Sequence, residues 1–340
     1  MRPTLSHRIE LLILTVLVVT YVVWFMWPII GTGADNLRLV SVFNSDESTY
    51  AEVVLQALSQ NSLSIEREDQ GHLYINLLLL PLRVLNAVHP VSERFVIVGF
   101  RFVSAAFGAA TLIVSFVLAR RYFGRAAGWL SVSFLALLTR SLWRFSAMVH
   151  SDVTQVFFLI LGIYFCCRLA EAGAPKFVML AAAAAGCTFA TKYAGVLLLP
   201  MVWLVVIVQA FVCDDNELRD RAGERFVSVA WAIVAVGGLL LIATSIALAP
   251  EAVGNLADVS YGIAQGGHWA NLWGALRLPV FAAGCGLVLL SVVFRVTRPT
   301  SRLARRMVIV LSQLVLSCVI SAIAAFLSTP FSIADLIKGL

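Results

Sequence analysis

Long apolar runs separated by short polar segments make up most of this chain. The hydrocarbon core of a bilayer takes about 20 apolar residues of helix, and most of these runs approach that length. The run 177–211 is long for one helix and short for two, and it predicts two short helices broken near Lys192. In total the pattern predicts about nine transmembrane helices. They are 9–30, 96–119, 126–147, 153–169, the two halves of 177–211, 226–248, 275–296 and 307–327.

The polar loop after the first span, residues 31–95, contains an amphipathic segment at 44–60. Its apolar residues recur on one face at helical spacing, and the segment is too polar to span a bilayer. It therefore predicts a helix that lies at the membrane surface. Thr49 and Glu52 match a capping box at the helix start, which places the acids Asp46 and Glu47 immediately ahead of the helix.

A second apolar segment of the same loop, 73–88, contains Pro81 and Arg83. It predicts a second interfacial helix, and a full crossing is the alternative. Cytoplasmic loops carry an excess of Lys and Arg, so orientation decides between the two. If the segment does not cross, the Arg-rich turn at 120–125 shares the side of the basic amino terminus, which favours the interfacial helix.

Composition restricts the class of protein. The chain is 60% hydrophobic and only 13% charged, whereas soluble domains carry about 25% charge. We therefore expect an all-α polytopic membrane protein, with residues 1–340 forming a single transmembrane domain. Its external loops are 31–95 and 249–274, and no separate soluble domain is expected. The net charge of +6 comes from Arg clusters between apolar runs, which indicates membrane orientation and not nucleic-acid binding.

Most ionisable residues outside these Arg clusters fall at the predicted outer surface. They include Asp46, Glu47, Glu66, Glu68, Asp69, Arg101, His150, Asp152, Lys192 and His268. A charge at the bilayer centre costs roughly 2.5–3.5 kcal/mol, so Arg101 and Lys192, within apolar helices, are informative. Cations and carboxylates at one face suit a substrate with a phosphate and with a hydroxyl to deprotonate.

Simpler interpretations stand beside the functional ones. Asp46 and Glu47 could be helix-start acids that the helix dipole favours. Arg101 and Lys192 could extend to lipid headgroups. The pair His150 and Asp152 could be a solvated turn or a metal pair. His268 has the aromatic neighbours of a membrane-interface belt, and Glu66, Glu68 and Asp69 suit a wet loop surface.

The order of these residues resembles a known family. The acid pair follows the first span, Arg101 lies in GFRFVSAAFGAATLIVSFVLARRYFG, Asp152 in SAMVHSDVTQVFFLILGIYF and Lys192 in AAGCTFATKYAGVLLLP. This order resembles the GT-C membrane glycosyltransferases of the dolichyl-phosphate-mannose–protein mannosyltransferase type, glycosyltransferase family 39 and relatives. These include the bacterial enzyme that adds aminoarabinose to lipid A. The resemblance implies a GT-C-like helical bundle.

The resemblance also implies roles for individual residues. Asp46 is similar to the first-loop general base of the family, with Glu47 its neighbour, and Asp152 to the acid at the start of span four. Arg101 and Lys192 are similar to residues that contact the carrier phosphate. A divalent metal ion, Mg or Mn, held by Asp46 and Asp152, is a further expectation. Where the family has a Lys-Pro-Pro-like run, this chain has EDQGHLYIN, and Glu68 or His72 would take over the contacts of that run. A second set of substrate or metal residues comprises His150, Asp152, His72, Glu68 and His268.

The function implied is inverting transfer of a sugar from a polyprenyl-phosphate carrier to a lipid, glycan or protein acceptor. The expected location is a bacterial plasma (inner) membrane, crossed several times and in contact with membrane lipids, with the active site facing the periplasm or exterior. Alternatives are a non-catalytic GT-C-like subunit or carrier-binding scaffold, and a transporter or flippase of a lipid-linked or anionic solute. Relatives continue beyond the closing STPFSIAD, so we expect a short member, a truncated one, or one with a partner subunit.

Overall fold

The computed structural model describes residues 5–36, 40, 44–60, 72–212, 285 and 302–328, and all regular elements in these ranges are helical. The first span consists of α1 (Leu5–Thr20), a π-helical turn (Tyr21–Met26) and α2 (Trp27–Ile30). The other helices follow in chain order. They are α3 (Ser45–Ser59), α4 (Leu73–Asn86), α5 (Glu93–Phe123), α6 (Arg125–Ser133), α7 (Arg140–Ala147), α8 (Ser151–Ala172), α9 (Pro175–Thr191), α10 (Leu198–Val212) and α11 (Arg302–Ser328).

Three of the described helical stretches are long and apolar enough to cross a membrane. They are Leu12–Ile30, Glu93–Phe123 and Ser151–Ala172, and a bent pair makes a fourth if it counts as one span. The predicted total of nine is therefore not confirmed. The spans predicted at 226–248 and 275–296 and the loop 249–274 lie outside the described residues.

The predicted start of the helix in segment 44–60 is wrong. The capping box at Thr49 and Glu52 does not form, because α3 begins one turn earlier at Ser45 and its N-cap is Asn44, whose side chain accepts the Asp46 N–H. The acid pair consequently lies inside the first turn of α3 and not ahead of it. The span predicted over 126–147 is a pair of helices that bends by 64° between Leu138 and Arg140, after a π-helical stretch.

Other predicted elements are confirmed. Tyr50, Val54 and Ala57 form the buried face of α3. The segment 73–88 forms the single helix α4 with Pro81 inside it, and its 14 residues fall short of a crossing. The break near Lys192 separates α9 from α10.

The chain divides into two compact units, and the first contains residues 1–164, 184–198 and 324–329. Around α3, α4 and α5 its core is aromatic: the Tyr74 ring stacks on Phe100 with centroids 5.2 Å apart, and Tyr50 packs edge-on against Tyr74 at 5.3 Å. A second cluster joins the first span to α5, α6 and α7. At Gly108 a Cβ would overlap the Ser146 side chain, so α7 approaches α5 closely there.

A buried carboxylate sets the relative direction of the first span and α5. Glu10, whose side chain is 2% exposed, pairs with both Arg120 and Arg125. The start of α1 therefore lies beside the end of α5. The Arg-rich turn shares the side of the amino terminus, as the interfacial interpretation of 73–88 requires.

The second unit contains residues 165–183, 199–323 and 330–340. In its described part, α8, α9, α10 and α11 pack through a small core that includes Leu169, Val178 and Val206. Polar side chains bond across these helices: the Trp203 indole N–H donates to Ser317 Oγ at 3.0 Å, and the Ser321 hydroxyl donates to the Ala182 carbonyl at 2.7 Å. All the described candidate residues lie in the first unit, and the single transmembrane domain over 1–340 stays a prediction.

Candidate active site

The candidate site is built around the turn Met148–His150, which joins α7 to α8. Two helices hold the backbone of this turn. The Val149 N–H donates to Glu47 Oε1 of α3 at 2.7 Å, and the His150 N–H donates to Ser104 Oγ of α5 at 3.4 Å. Ser104 is itself fixed by the Tyr74 hydroxyl at 2.7 Å. The position of His150 therefore depends on the aromatic core below it.

Glu47 and Arg101 form a buried ion pair beneath this turn. Arg101 Nε donates to Glu47 Oε1 at 3.0 Å and Nη2 donates to Oε2 at 2.7 Å, in the bidentate geometry that suits arginine and a carboxylate. The two side chains are 6% and 3% exposed. Arg101 Nη1 donates to three backbone carbonyls at the end of the first span. They are those of Ile29 at 3.0 Å, Ile30 at 3.1 Å and Thr32 at 2.7 Å.

This bonding pattern restricts what Arg101 and Glu47 can do. Each of the three guanidinium nitrogens already donates to an oxygen of the protein, and Glu47 Oε1 accepts from both Arg101 and Val149. The Arg101 side chain is only 6% exposed, so a direct contact with a substrate phosphate would require this buried site to open. The pair instead joins the first span, α3, α5 and the turn.

Asp46 differs from its neighbour. It lies in the first turn of α3 with its side chain 39% exposed, and its Oδ2 lies 3.8 Å from His150 Nε2. The other ring nitrogen, His150 Nδ1, lies 3.4 Å from Asp152 Oδ2. His150 thus stands between two carboxylates that both reach solvent.

Asp152 pairs in turn with Lys192. Asp152 is in the first turn of α8, and its Oδ1 forms an ion pair with Lys192 Nζ, with the side chains 34% and 28% exposed. Lys192 has an extended backbone (φ −150°, ψ 137°) between α9 and a 3₁₀ turn, Tyr193–Leu197. A Cβ at Gly195 would overlap the backbone of Thr188, so only glycine fits this close return of the chain. The helix break therefore places the ammonium group beside Asp152.

The ring of His150 is mostly enclosed, with its side chain 16% exposed. Its centroid lies 4.3 Å from that of Phe145. Burial lowers the pKa of His150 below its ordinary value, and the adjacent Asp152 carboxylate opposes that shift. Lys192 lowers the pKa further, Asp46 raises it, and Arg144 lowers it. This balance favours the neutral ring at neutral pH.

Arg144 is a candidate site residue that the sequence pattern did not indicate. It is exposed on α7, and its charge acts on His150 together with that of Lys192. Within the described part of the chain, no hydrogen bond or ion pair engages its guanidinium. Arg140 and Arg144 are four residues apart, on one face of α7, and this spacing was the available signal.

The remaining predicted site residues are not brought into this cluster by the contacts described above. His72 lies at the start of α4, and Glu68 and His268 fall outside the described residues. Among the residues that the structure describes, no group of three or more His, Cys, Asp or Glu side chains could hold a metal ion. Asp152 pairs with the Lys192 ammonium in this structure, and the divalent metal expected at Asp46 and Asp152 stays a prediction.

Four of these residues form a group that we call the charged cluster: Asp46, His150, Asp152 and Lys192. In this cluster, carboxylate oxygens that can accept a proton lie beside an ammonium group that can bind an anion. The sequence placed these residues at one surface, and the structure brings them together. Their chemical roles stay predictions.

Comparison with known proteins gives one match. Residues 85–247 match the sequence model of the dolichyl-phosphate-mannose-protein mannosyltransferase family, a segment that includes Arg101, His150, Asp152 and Lys192 but not Asp46. No curated protein and no solved structure matches the chain. The apolar helices place the protein in a membrane. The resemblance is confirmed: over residues 85–247 the chain is similar to the dolichyl-phosphate-mannose-protein mannosyltransferase family.

Proposed function

We propose that this protein is an inverting glycosyltransferase that moves a sugar from a polyprenyl-phosphate carrier to a hydroxyl acceptor. One observation carries the proposal: in the charged cluster, the exposed carboxylate of Asp46 and the half-buried ammonium of Lys192 lie on either side of His150 and Asp152. Such transfer needs a group that takes a proton and a group that stabilises a departing phosphate. The cluster supplies both.

In the proposed reaction the acceptor oxygen attacks the anomeric carbon while the bond to the carrier phosphate breaks. Asp46 takes the hydroxyl proton as the new bond forms, and positioned general bases contribute about 10²–10⁴-fold. The polyprenyl phosphate leaves as an anion. Lys192, oriented by Asp152, stabilises the negative charge that develops on it.

The second cation for the phosphate is Arg144 in this proposal. The sequence suggested Arg101, but its guanidinium is bound to Glu47 and to three carbonyls. Arg144 is exposed and near enough to His150 to act on its charge. An arginine can bind phosphate through two parallel N–H groups, which suits this role.

The carrier's tail explains the position proposed for the site. A polyprenyl chain stays in the bilayer, so its phosphate is presented at the membrane surface. We place the protein in a bacterial plasma membrane with the charged cluster facing the periplasm or exterior. The acceptor is a lipid, glycan or protein hydroxyl that reaches this surface.

The test is Asp46→Asn, assayed by transfer of a labelled sugar from a polyprenyl-phosphate donor to acceptors in native membranes. We expect turnover to fall by about 10²–10⁴-fold with the protein still folded, because the amide cannot accept the proton. Asp35→Asn is the matched control, since Asp35 is an exposed aspartate paired only at the surface with Arg94 at 2.9 Å. Undiminished transfer by Asp46→Asn removes Asp46 from the role of base.

A further inference from the structure

His150 has two fixed contacts that define the plane and the direction of its ring. Its backbone N–H is bound to Ser104, and its ring packs on Phe145 with an angle of 35° between the planes. The preceding residue, Val149, is bound to Glu47. The ring therefore has little freedom, and its two nitrogens face different carboxylates.

The hydrogen bonds assign the neutral form of this ring. His150 Nδ1 lies 3.4 Å from both the Asp152 backbone N–H and Asp152 Oδ2, and the hydrogen bond is the one that the backbone N–H donates, so Nδ1 is the acceptor. In a neutral imidazole the other nitrogen then carries the proton. That nitrogen, Nε2, is the one that faces Asp46 Oδ2 at 3.8 Å.

Asp46 needs a hydrogen-bond donor to fix its orientation more than Glu47 does. Glu47 is held by Arg101 and Val149, whereas the Asp46 side chain is 39% exposed and has the usual choice of rotamers. A general base must lie within hydrogen-bond reach of the proton that it takes, and contacts that are long in a free enzyme tighten in the substrate complex.

We propose that His150 is the positioning residue for Asp46. Its Nε2–H holds Asp46 Oδ2, which leaves Oδ1 directed at the acceptor hydroxyl. Its Nδ1 is held by the Asp152 backbone, so the histidine also fixes the distance between the base and the Asp152–Lys192 pair. This role rests on the proposed function, because it concerns the base of that reaction.

The experiment compares two substitutions at one position, His150→Gln and His150→Asn. A glutamine places its amide nitrogen near the position of Nε2 and can still donate to Asp46. An asparagine places its amide near Nδ1, so it keeps the contact with the Asp152 backbone and loses the contact with Asp46. Both are uncharged and polar, which makes each the control for the other.

We expect His150→Asn to lower kcat by about 10- to 100-fold, the scale of a misplacement of roughly 1 Å at a reacting group. His150→Gln should keep most of the wild-type kcat. The KM for a labelled polyprenyl-phosphate hexose should be unchanged in both, because neither substitution touches Lys192 or Arg144. Unfolding in detergent is measured for both variants beside turnover.

The outcomes separate this inference from the proposed function. Equal kcat for the two variants, a lower kcat for glutamine than for asparagine, or a change confined to KM overturns the positioning role while transfer itself stands. If asparagine does not fold, the glutamine variant alone decides, since a kcat 10- to 100-fold below wild type contradicts the inference. Absence of transfer by the wild-type protein with this donor overturns the proposed function and, with it, the inference.

Discussion

Asp46 and Glu47 are adjacent in α3, yet they differ in burial and in bonding. Glu47 is buried and bound by Arg101 and the Val149 N–H, while Asp46 is 39% exposed with His150 nearby at 3.8 Å. Successive residues of a helix point about 100° apart, so Glu47 reaches Arg101 and the Val149 backbone while Asp46 lies beside the His150 ring. The same sequence signal, two acids in a row, thus contains one structural residue and one residue available for chemistry.

The cations show the same division. Arg101 is enclosed and its charge is used within the protein, whereas Lys192 is 28% exposed and pairs with an exposed carboxylate. A buried ion pair needs its geometry and its extra hydrogen bonds to offset desolvation, and the Glu47–Arg101 pair has both. Groups that meet a substrate must instead keep oxygens or N–H groups accessible. The comparison therefore predicts separate effects on stability and on turnover.

The largest expected effect is on stability, at the buried pair. Glu47→Gln leaves the Arg101 charge without its partner, and breaking a buried pair in this way costs about 3–5 kcal/mol. The free energy of unfolding, measured by SDS titration in mixed micelles, should fall by that amount. Asp46→Asn, one residue away, should change it by no more than about 0.5 kcal/mol. Equal losses in the two variants would contradict the division of roles.

The next effect is on turnover, at Lys192. Lys192→Gln removes the cation that faces the departing phosphate, and loss of one such group typically costs about 10²–10³-fold in kcat. The matched control is Lys176→Gln, at the opposite end of α9, which should keep wild-type turnover. Transfer assays with the labelled donor give both values. A Lys192 variant with full kcat would leave the proposed leaving-group role without support.

The smallest effect concerns donor affinity, at α7. Arg144→Gln should raise the KM for the donor about tenfold, since a hydrogen bond to a charged group contributes about 1.5–3 kcal/mol. Arg140→Gln removes the same charge one helical turn further from His150 and serves as control. If both variants raise KM equally, the effect is general surface electrostatics. If neither does, Arg144 does not contact the phosphate.

Much of this arrangement was accessible from sequence because it depends on length and spacing. The run 177–211 is long for one helix and short for two, and the positive-inside rule, which keeps the Arg-rich segment 295–306 inside, predicted the break near Lys192. The order of Asp46, Asp152 and Lys192 along the chain predicted that they share one surface. The structure joins them through His150.

Other features depend on helix register, which local patterns do not fix. Thr49 and Glu52 fit a capping box, but Asn44 supplies the cap one turn earlier, and this shift brings the acid pair inside α3. Which acid is buried follows only from the position of Arg101 on α5. The bend after Leu138 has no Pro or Gly at that point in the sequence, so the sequence pattern did not predict it.

The pairing of Glu10 is a second example of this limit. The sequence around a single acid near the start of an apolar run does not predict which basic residues pair with it. Arg120 and Arg125 meet it because α1 and α5 run in opposite directions, with the end of one beside the start of the other. Only the packing of the two helices reveals that relation.

The most direct test of the central claim is a structure of the full-length protein with polyprenyl phosphate bound. We predict that the phosphate contacts the Lys192 ammonium within the charged cluster, with Asp46 open on the side where the sugar and acceptor would lie. Arg101 should still be bound to Glu47 in that complex. A phosphate bound away from Lys192, or bound by Arg101 after release of Glu47, would contradict the account.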